Sequence, residues 1–176
     1  MSSPDTVSKT FTVATLLCLV CSIVVSTAAV VLKPIQKENQ LLDRNTNILS
    51  AAGLMQEGKS VEEIFAQLET KIVDLDSGEF AENIDQELYD QRKAAKDPNT
   101  SQRLAADIDI ASIKRRADYA TVYLKRDPQG NLQTIILPIH GYGLWSTLYG
   151  FLALEADANT VVGLGFYEHA ETPGLG

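Results

Sequence analysis

The pattern of apolar and polar positions divides the chain into three stretches. From Phe11 to Leu32 the run FTVATLLCLVCSIVVSTAAVVL holds 22 residues with no charge and no polar stripe. As a helix at about 1.5 Å per residue it covers roughly 33 Å, enough to cross a hydrocarbon layer. Lys33-Pro34 ends the apolar run. Ile35, Leu41, Leu42, Ile48 and Leu49 then recur at helical spacing as far as Gly53, a C-terminal stop. Ser60-Val61-Glu62-Glu63 is an S-x-x-E capping box that opens a short helix, with Ile64, Phe65 and Leu68 on one face. Lys71 to Leu75 reads as a strand turned by Asp76-Ser77-Gly78. The chain from Phe80 to about Asp107 is a polar surface segment with some helix. Ala111 to Ala117, carrying Lys114-Arg115-Arg116, reads as a short charged helix or lead-in.

After that the period changes from helical to β. Tyr119 to Arg126 (YATVYLKR) and Leu132 to Ile139 (LQTIILPI) flank Asp127-Pro128-Gln129-Gly130-Asn131. Ser146 to Ala156 and Thr160 to His169 flank Asp157-Ala158-Asn159. Closely spaced runs of this kind predict an antiparallel meander, with helices supplied by residues 35 to 70. The fold class is therefore α+β and not a βαβ nucleotide fold. The expected organisation is a short tail (1–10), a transmembrane helix (11–32), a helical and irregular connecting region (33–117) and a β-rich segment (118–176).

A cleavable signal peptide is the rival reading of the first segment, with Lys9 before the apolar run and Ser26-Thr27-Ala28 as a cleavage site. The run continues through Val30, Val31 and Leu32, which favours an uncleaved anchor. Lys33, Lys37 and Arg44 follow it closely. A plain count of positive charge would place the following domain in the cytoplasm, but Glu38 and Asp43 are interleaved and the sequence leaves the side open.

The formal net charge of -8 argues against a nucleic-acid partner, which needs a basic face to neutralise phosphates. It does not exclude a flavin or a sugar phosphate. Cys18 and Cys21 both fall within the apolar run, where they serve as small packing residues. Residues 33 to 176 contain no cysteine, so that part forms no disulfide and ligates no iron–sulfur cluster. Asp74, Asp76 and Gly78 miss the spacing of a calcium loop, and its twelfth position is Asp85 rather than glutamate. They read as a turn.

Two glycine-containing loops close the β runs. One is His140-Gly141-Tyr142-Gly143-Leu144-Trp145-Ser146; the other is HAETPGLG, from His169 to Gly176. The first imitates G-x-G-x-x-G, but a β run follows where that fingerprint needs a helix. Such a loop brings backbone amides close to an anion, because glycine lacks the Cβ that blocks approach. Trp145, the only tryptophan, offers a stacking surface, and Ser146 and Thr172 offer hydroxyls. Tight turns around a core tryptophan are the plainer reading. His140 and His169 lack a third ligand at metal spacing and read as capping or half-buried residues.

LPIHGYGLWS (137 to 146) and GFYEHAETPGLG (165 to 176), with VCSIVVSTAAVVL and ADYATVYLKRDPQG, resemble the NqrC family over essentially the whole chain. Members of that family are the C-type subunits of the Na+-translocating NADH:quinone oxidoreductase. The G subunit of the Rnf electron-transport complex is a related family. The resemblance implies one N-terminal span in a bacterial inner membrane, a large periplasmic domain and one FMN. It implies five partner subunits in a six-subunit complex that carries electrons from NADH to ubiquinone and exports Na+. It also implies that Leu144, Trp145 and Ser146 line the isoalloxazine site from one loop, and Glu171, Thr172, Gly174 and Leu175 from the other. An acidic Glu171 there would disfavour anionic flavin forms and lower the potential.

One feature departs from the family. Its FMN is esterified through phosphate to a threonine in an S-G-A-T motif, and this chain has none; Ser77-Gly78-Glu79 is the nearest in letters. The expectation is an N-terminal portion of a longer, C-terminally incomplete FMN-binding domain, holding FMN weakly or not at all. A membrane-tethered exported binding or scaffold domain without redox activity, or an Rnf-type subunit, is the alternative.

Overall fold

The computed structural model describes residues 6–86, 88–172 and Gly174, which fall in two compact units divided between Leu41 and Leu42. The backbone is helical over α1 (Val7–Ala51), Pro34 included. The helix thus runs on past the position where the apolar sequence stops, at the cost of the hydrogen bond that proline cannot donate.

In the first unit the side chains of α1 are exposed, and among the described residues this is the one helix long and apolar enough to cross a membrane. The hydroxyls of Thr12 and Thr27 donate to the carbonyls of Ser8 and Ile23 at 2.9 and 2.8 Å. Neither hydroxyl therefore faces an apolar solvent without a partner.

The second unit begins with the last turns of α1. Ile48 and Leu49 are fully buried there, and Gly53 ends the helix at φ +64°. The Leu54 amide reaches back to the Leu49 carbonyl at 2.8 Å, a closure that needs a left-handed residue before it. The capping box forms as expected: the Glu63 amide donates to Ser60 Oγ, and the Ser60 amide to Glu63 Oε2. It opens α2 (Val61–Phe65), which is only five residues long. Leu68, expected on that helix face, instead starts β1 (Leu68–Asp74).

The Asp74 carboxylate accepts the amides of Asp76 and Ser77, so the Asp74–Gly78 stretch is an aspartate-stapled turn, with Gly78 at φ +75°. The polar segment that follows contains α3 (Gln91–Ala94), capped by Asp90, and β2 (Ser101–Arg103). β2 pairs with β3 (Arg115–Ala117), where the sequence suggested a short charged helix. The reason is local. The carboxylate of Asp109 captures the amides of Ile113 and Lys114, and Ser112 and Lys114 take positive φ, which a helix cannot contain.

The main sheet has the order β1-β4-β5-β6-β7 and is antiparallel throughout, adding β4 (Tyr119–Arg126), β5 (Leu132–Tyr142), β6 (Thr147–Glu155) and β7 (Val161–Glu168). Tyr123, Ile136 and Ala153 lie side by side in register. With Phe151 they form the floor on which Ile48, Ala51 and Ala52 pack. Gly163 continues that row. A Cβ there would stand 2.1 Å from the Ala51 carbonyl oxygen, so glycine is what lets the helix end lie on β7. Arg44 donates to the Tyr123 hydroxyl from the same stretch of helix. The α+β expectation holds, with the meander as its sheet.

Candidate functional site

The sheet delivers two loops to one end. β5 runs on to Tyr142, three residues past its expected limit, so the first loop is a tight hairpin tip over Gly143–Ser146. The Gly143 amide donates to the Ser146 carbonyl at 2.7 Å and closes it. The Tyr142 amide donates to the Ala111 carbonyl at 2.8 Å, bracing the hairpin from the connecting region. A Cβ on Gly143 would fall 2.2 Å from Leu148 Cδ1 and 2.7 Å from Glu171 Oε1. A side chain here would have to push both of those side-chain ends aside.

The second loop leaves β7 and crosses the tip. The Ala170 amide donates to Ser146 Oγ at 2.8 Å. Glu171 Oε1 accepts from the Ser146 amide at 2.9 Å, the Trp145 amide at 3.1 Å and the Ser146 hydroxyl at 3.1 Å. The Glu171 amide in turn donates to His169 Nδ1 at 3.2 Å. Glu171 is only 9% exposed. Burial alone would push its carboxyl upward, but the amides of Trp145 and Ser146, the Ser146 hydroxyl and the nearby His169 outweigh it and hold the group below the usual glutamate range. Two of the amides that this glycine loop could offer to an anion, those of Trp145 and Ser146, are therefore filled by the chain's own carboxylate.

This clip brings together Ser146 and Glu171, 25 residues apart in sequence. Beside it Leu144 is 76% exposed and Trp145 67% exposed. Trp145 is thus a surface side chain, not the core residue that the plainer sequence reading allowed. Thr172 and Gly174 are exposed too, with Gly174 at φ +80°. Leu175 lies outside the described residues. The result is an apolar, uncovered pair of side chains next to a hydrogen-bonded polar clip. It suits a planar apolar ring better than a phosphate, because the amides of Gly143, Trp145 and Ser146 are already taken.

Sequence reasoning missed a cluster behind this site. The guanidinium of Arg92 lies 3.6 Å from the ring centre of Tyr149 and donates to both oxygens of Glu168, at 3.0 and 2.9 Å, and to the Tyr167 hydroxyl at 2.7 Å. Tyr149 stacks on His140, its register partner in β5. Burial, and after it the charge of Arg92, push the His140 imidazole below its ordinary value. The only sequence signal was Asp90, a helix cap ahead of Gln91 and Arg92.

An FMN-binding domain family matches residues 143–176, the segment that contains both loops. The C-type subunit of the Na+-translocating NADH-quinone reductase of Pseudomonas aeruginosa is 54% identical over 180 residues, covering 100% of this chain and 69% of that protein. Its counterpart in Haemophilus ducreyi is 49% identical, over 98% of this chain and 66% of the relative. Among solved structures, Shewanella oneidensis NqrC aligns with a TM-score of 0.68 at 37% identity, over 80% of this chain and 63% of that one. This chain spans about two thirds of the length of the curated relatives it matches.

Proposed function

Because this chain belongs to the NqrC family of the Na+-translocating NADH-quinone reductases, we propose that it is an FMN-carrying electron-transfer subunit of such a complex. The observation that carries the proposal is the clip between Glu171 and the hairpin tip, which joins the two loops inside the segment that matches an FMN-binding domain. FMN, when bound, supplies one- or two-electron redox chemistry in the relay from NADH to ubiquinone.

The protein's own part in this is placement. Trp145 and Leu144 offer the apolar surface for the isoalloxazine, with Thr172 and Gly174 in the segment that follows Glu171. Ser146 and Glu171 hold the two loops at a fixed spacing. The Glu171 carboxylate adds negative charge beside the ring, partly offset by its three donors, which disfavours added negative charge on the flavin. Residues 1–176 contain no S-G-A-T threonine, so these residues by themselves hold the flavin noncovalently and weakly. Residues 11–32 are the membrane span in a bacterial inner membrane, the remaining domain is periplasmic, and the partners are the other five subunits of the sodium-exporting complex.

The test is purification of the full chain in detergent with added FMN, followed by equilibrium dialysis and a denaturing gel. Saturable binding of about one FMN per chain, with no flavin fluorescence on the gel, supports the proposal. Fluorescence that survives denaturation contradicts the noncovalent attachment, and absence of binding contradicts the proposal that these residues hold FMN by themselves.

A further inference from the structure

Arg92 touches each of the three strands from which the site loops spring, directly or through one side chain. Its own base is fixed, because the Asp90 carboxylate accepts the amides of Arg92 and Lys93, and the Thr121 amide of β4 donates to Gln91 Oε1 at 3.1 Å. From there its fork binds Glu168 and Tyr167 on β7, and its flat face covers Tyr149 on β6. Tyr149 passes the contact to His140 on β5 through a stack with ring centres 5.7 Å apart.

The placement along the strands matters more than the number of contacts. Tyr149 follows Ser146 by three residues, Glu168 precedes Glu171 by three, and Tyr149 and Glu168 are register partners. One planar cation therefore bridges β6 and β7 at the point where both loops depart. The register slips between Tyr149 and Gly150, so the strands do not fix their separation there alone.

We propose that Arg92 is a positioning residue for the two-loop site: it holds the roots of the hairpin tip and of the 169–172 segment so that Glu171 meets the amides of Trp145 and Ser146. The proposal rests on reading that site as flavin-binding. A guanidinium is required, because Nη1 meets both oxygens of Glu168 while Nη2 reaches the Tyr167 hydroxyl and the carbon between them lies over the Tyr149 ring, contacts that only one planar group makes at once. Lysine keeps the charge and the contact with Glu168 but cannot make the other two together.

Trp145 makes the test independent of any ligand, being the only tryptophan and standing on the hairpin tip. The full chain in detergent is compared with Arg92→Gln, Arg92→Lys and Arg126→Gln. The last breaks an ion pair of similar exposure, with Glu69 at the opposite end of the sheet. Trp145 fluorescence anisotropy is read well below the melting temperature, with far-UV circular dichroism as the check on folding, and free FMN is then titrated into each.

The expected result is lower anisotropy in both Arg92 variants, incomplete restoration by lysine, no change in Arg126→Gln, and FMN affinity weakened about tenfold in Arg92→Gln. Arg92 variants whose anisotropy matches that of Arg126→Gln overturn the inference, whatever FMN does. Loosening of Trp145 in a chain that binds no FMN even as wild type leaves the positioning role standing and sinks the reading that these residues hold FMN by themselves. A variant that loses its folded signal is replaced by Glu168→Gln, which removes the other half of the fork and is expected to loosen Trp145 in the same way.

Discussion

The carboxylate of Glu171 accepts the backbone amides of Ser146, at 2.9 Å, and Trp145, at 3.1 Å, and so fastens the loop after β7 to the tip of the β5–β6 hairpin. Replacing Glu171 with glutamine keeps one acceptor oxygen and removes the charge, and alanine removes both. FMN affinity is expected to fall in the order wild type, Glu171→Gln, Glu171→Ala, with about a tenfold loss for alanine. Trp145 anisotropy should fall in the same order, and the melting temperature should change little. Equal affinities across the series would show that the clip does not serve the site.

The clip also predicts a pH dependence. The folded chain holds the Glu171 carboxyl below its unfolded value, so the contribution is full above about pH 4.5 and is lost as pH falls through the lower folded value. Trp145 anisotropy should stay level from pH 8 to 5 and decline only in the more acidic range. In Glu171→Gln that acid step should disappear. A step near neutral pH would point to a histidine instead.

His140 supplies the complementary titration. Burial, and next the charge of Arg92, hold its imidazole below the ordinary histidine value of 6.5, so it is neutral at pH 7. Charging it in the folded state is disfavoured, and stability is lost as pH falls through the folded value. By NMR the His140 ring should titrate below 6.5. In Arg92→Gln the midpoint should move upward without reaching the free value, because burial remains.

Gly163→Ala tests the seat of the helix end. Its Cβ would meet the Ala51 carbonyl oxygen, a backbone atom that cannot swing aside. Overpacking of this kind costs about 1–3 kcal/mol, and a lowered melting temperature by circular dichroism is the readout. Gly165→Ala is the control, since its Cβ would sit 3.7 Å from the Ala51 Cβ in ordinary contact.

Much of this architecture was legible in the sequence because periodicity reports burial. The uncharged run, the S-x-x-E cap and the alternating strands each follow from which face meets water. β2 and β3 were not legible. They are three-residue strands rich in charge, fixed by Asp109 and by two residues at positive φ rather than by a hydrophobic pattern. Leu68 was misplaced because a helical spacing continued past the residue where α2 stops.

At the site, both halves of the clip were visible as an amide-rich loop and an acidic residue, but their pairing across 25 residues depends on the strand register. Arg92 itself gave no signal beyond the Asp90 cap that precedes it. Its partners lie 75 and 76 residues away, in a β run whose pattern does not point back to the polar surface segment that carries it.

The central claim is that FMN sits between the two loops, against Trp145. Titrating free FMN into the full chain while following Trp145 emission tests it most directly. Saturable quenching of Trp145 at about one FMN per chain, weakened in Glu171→Ala and reversed by dialysis, is the expected result. Flavin that binds without quenching Trp145, or quenching that Glu171→Ala leaves unchanged, would contradict it.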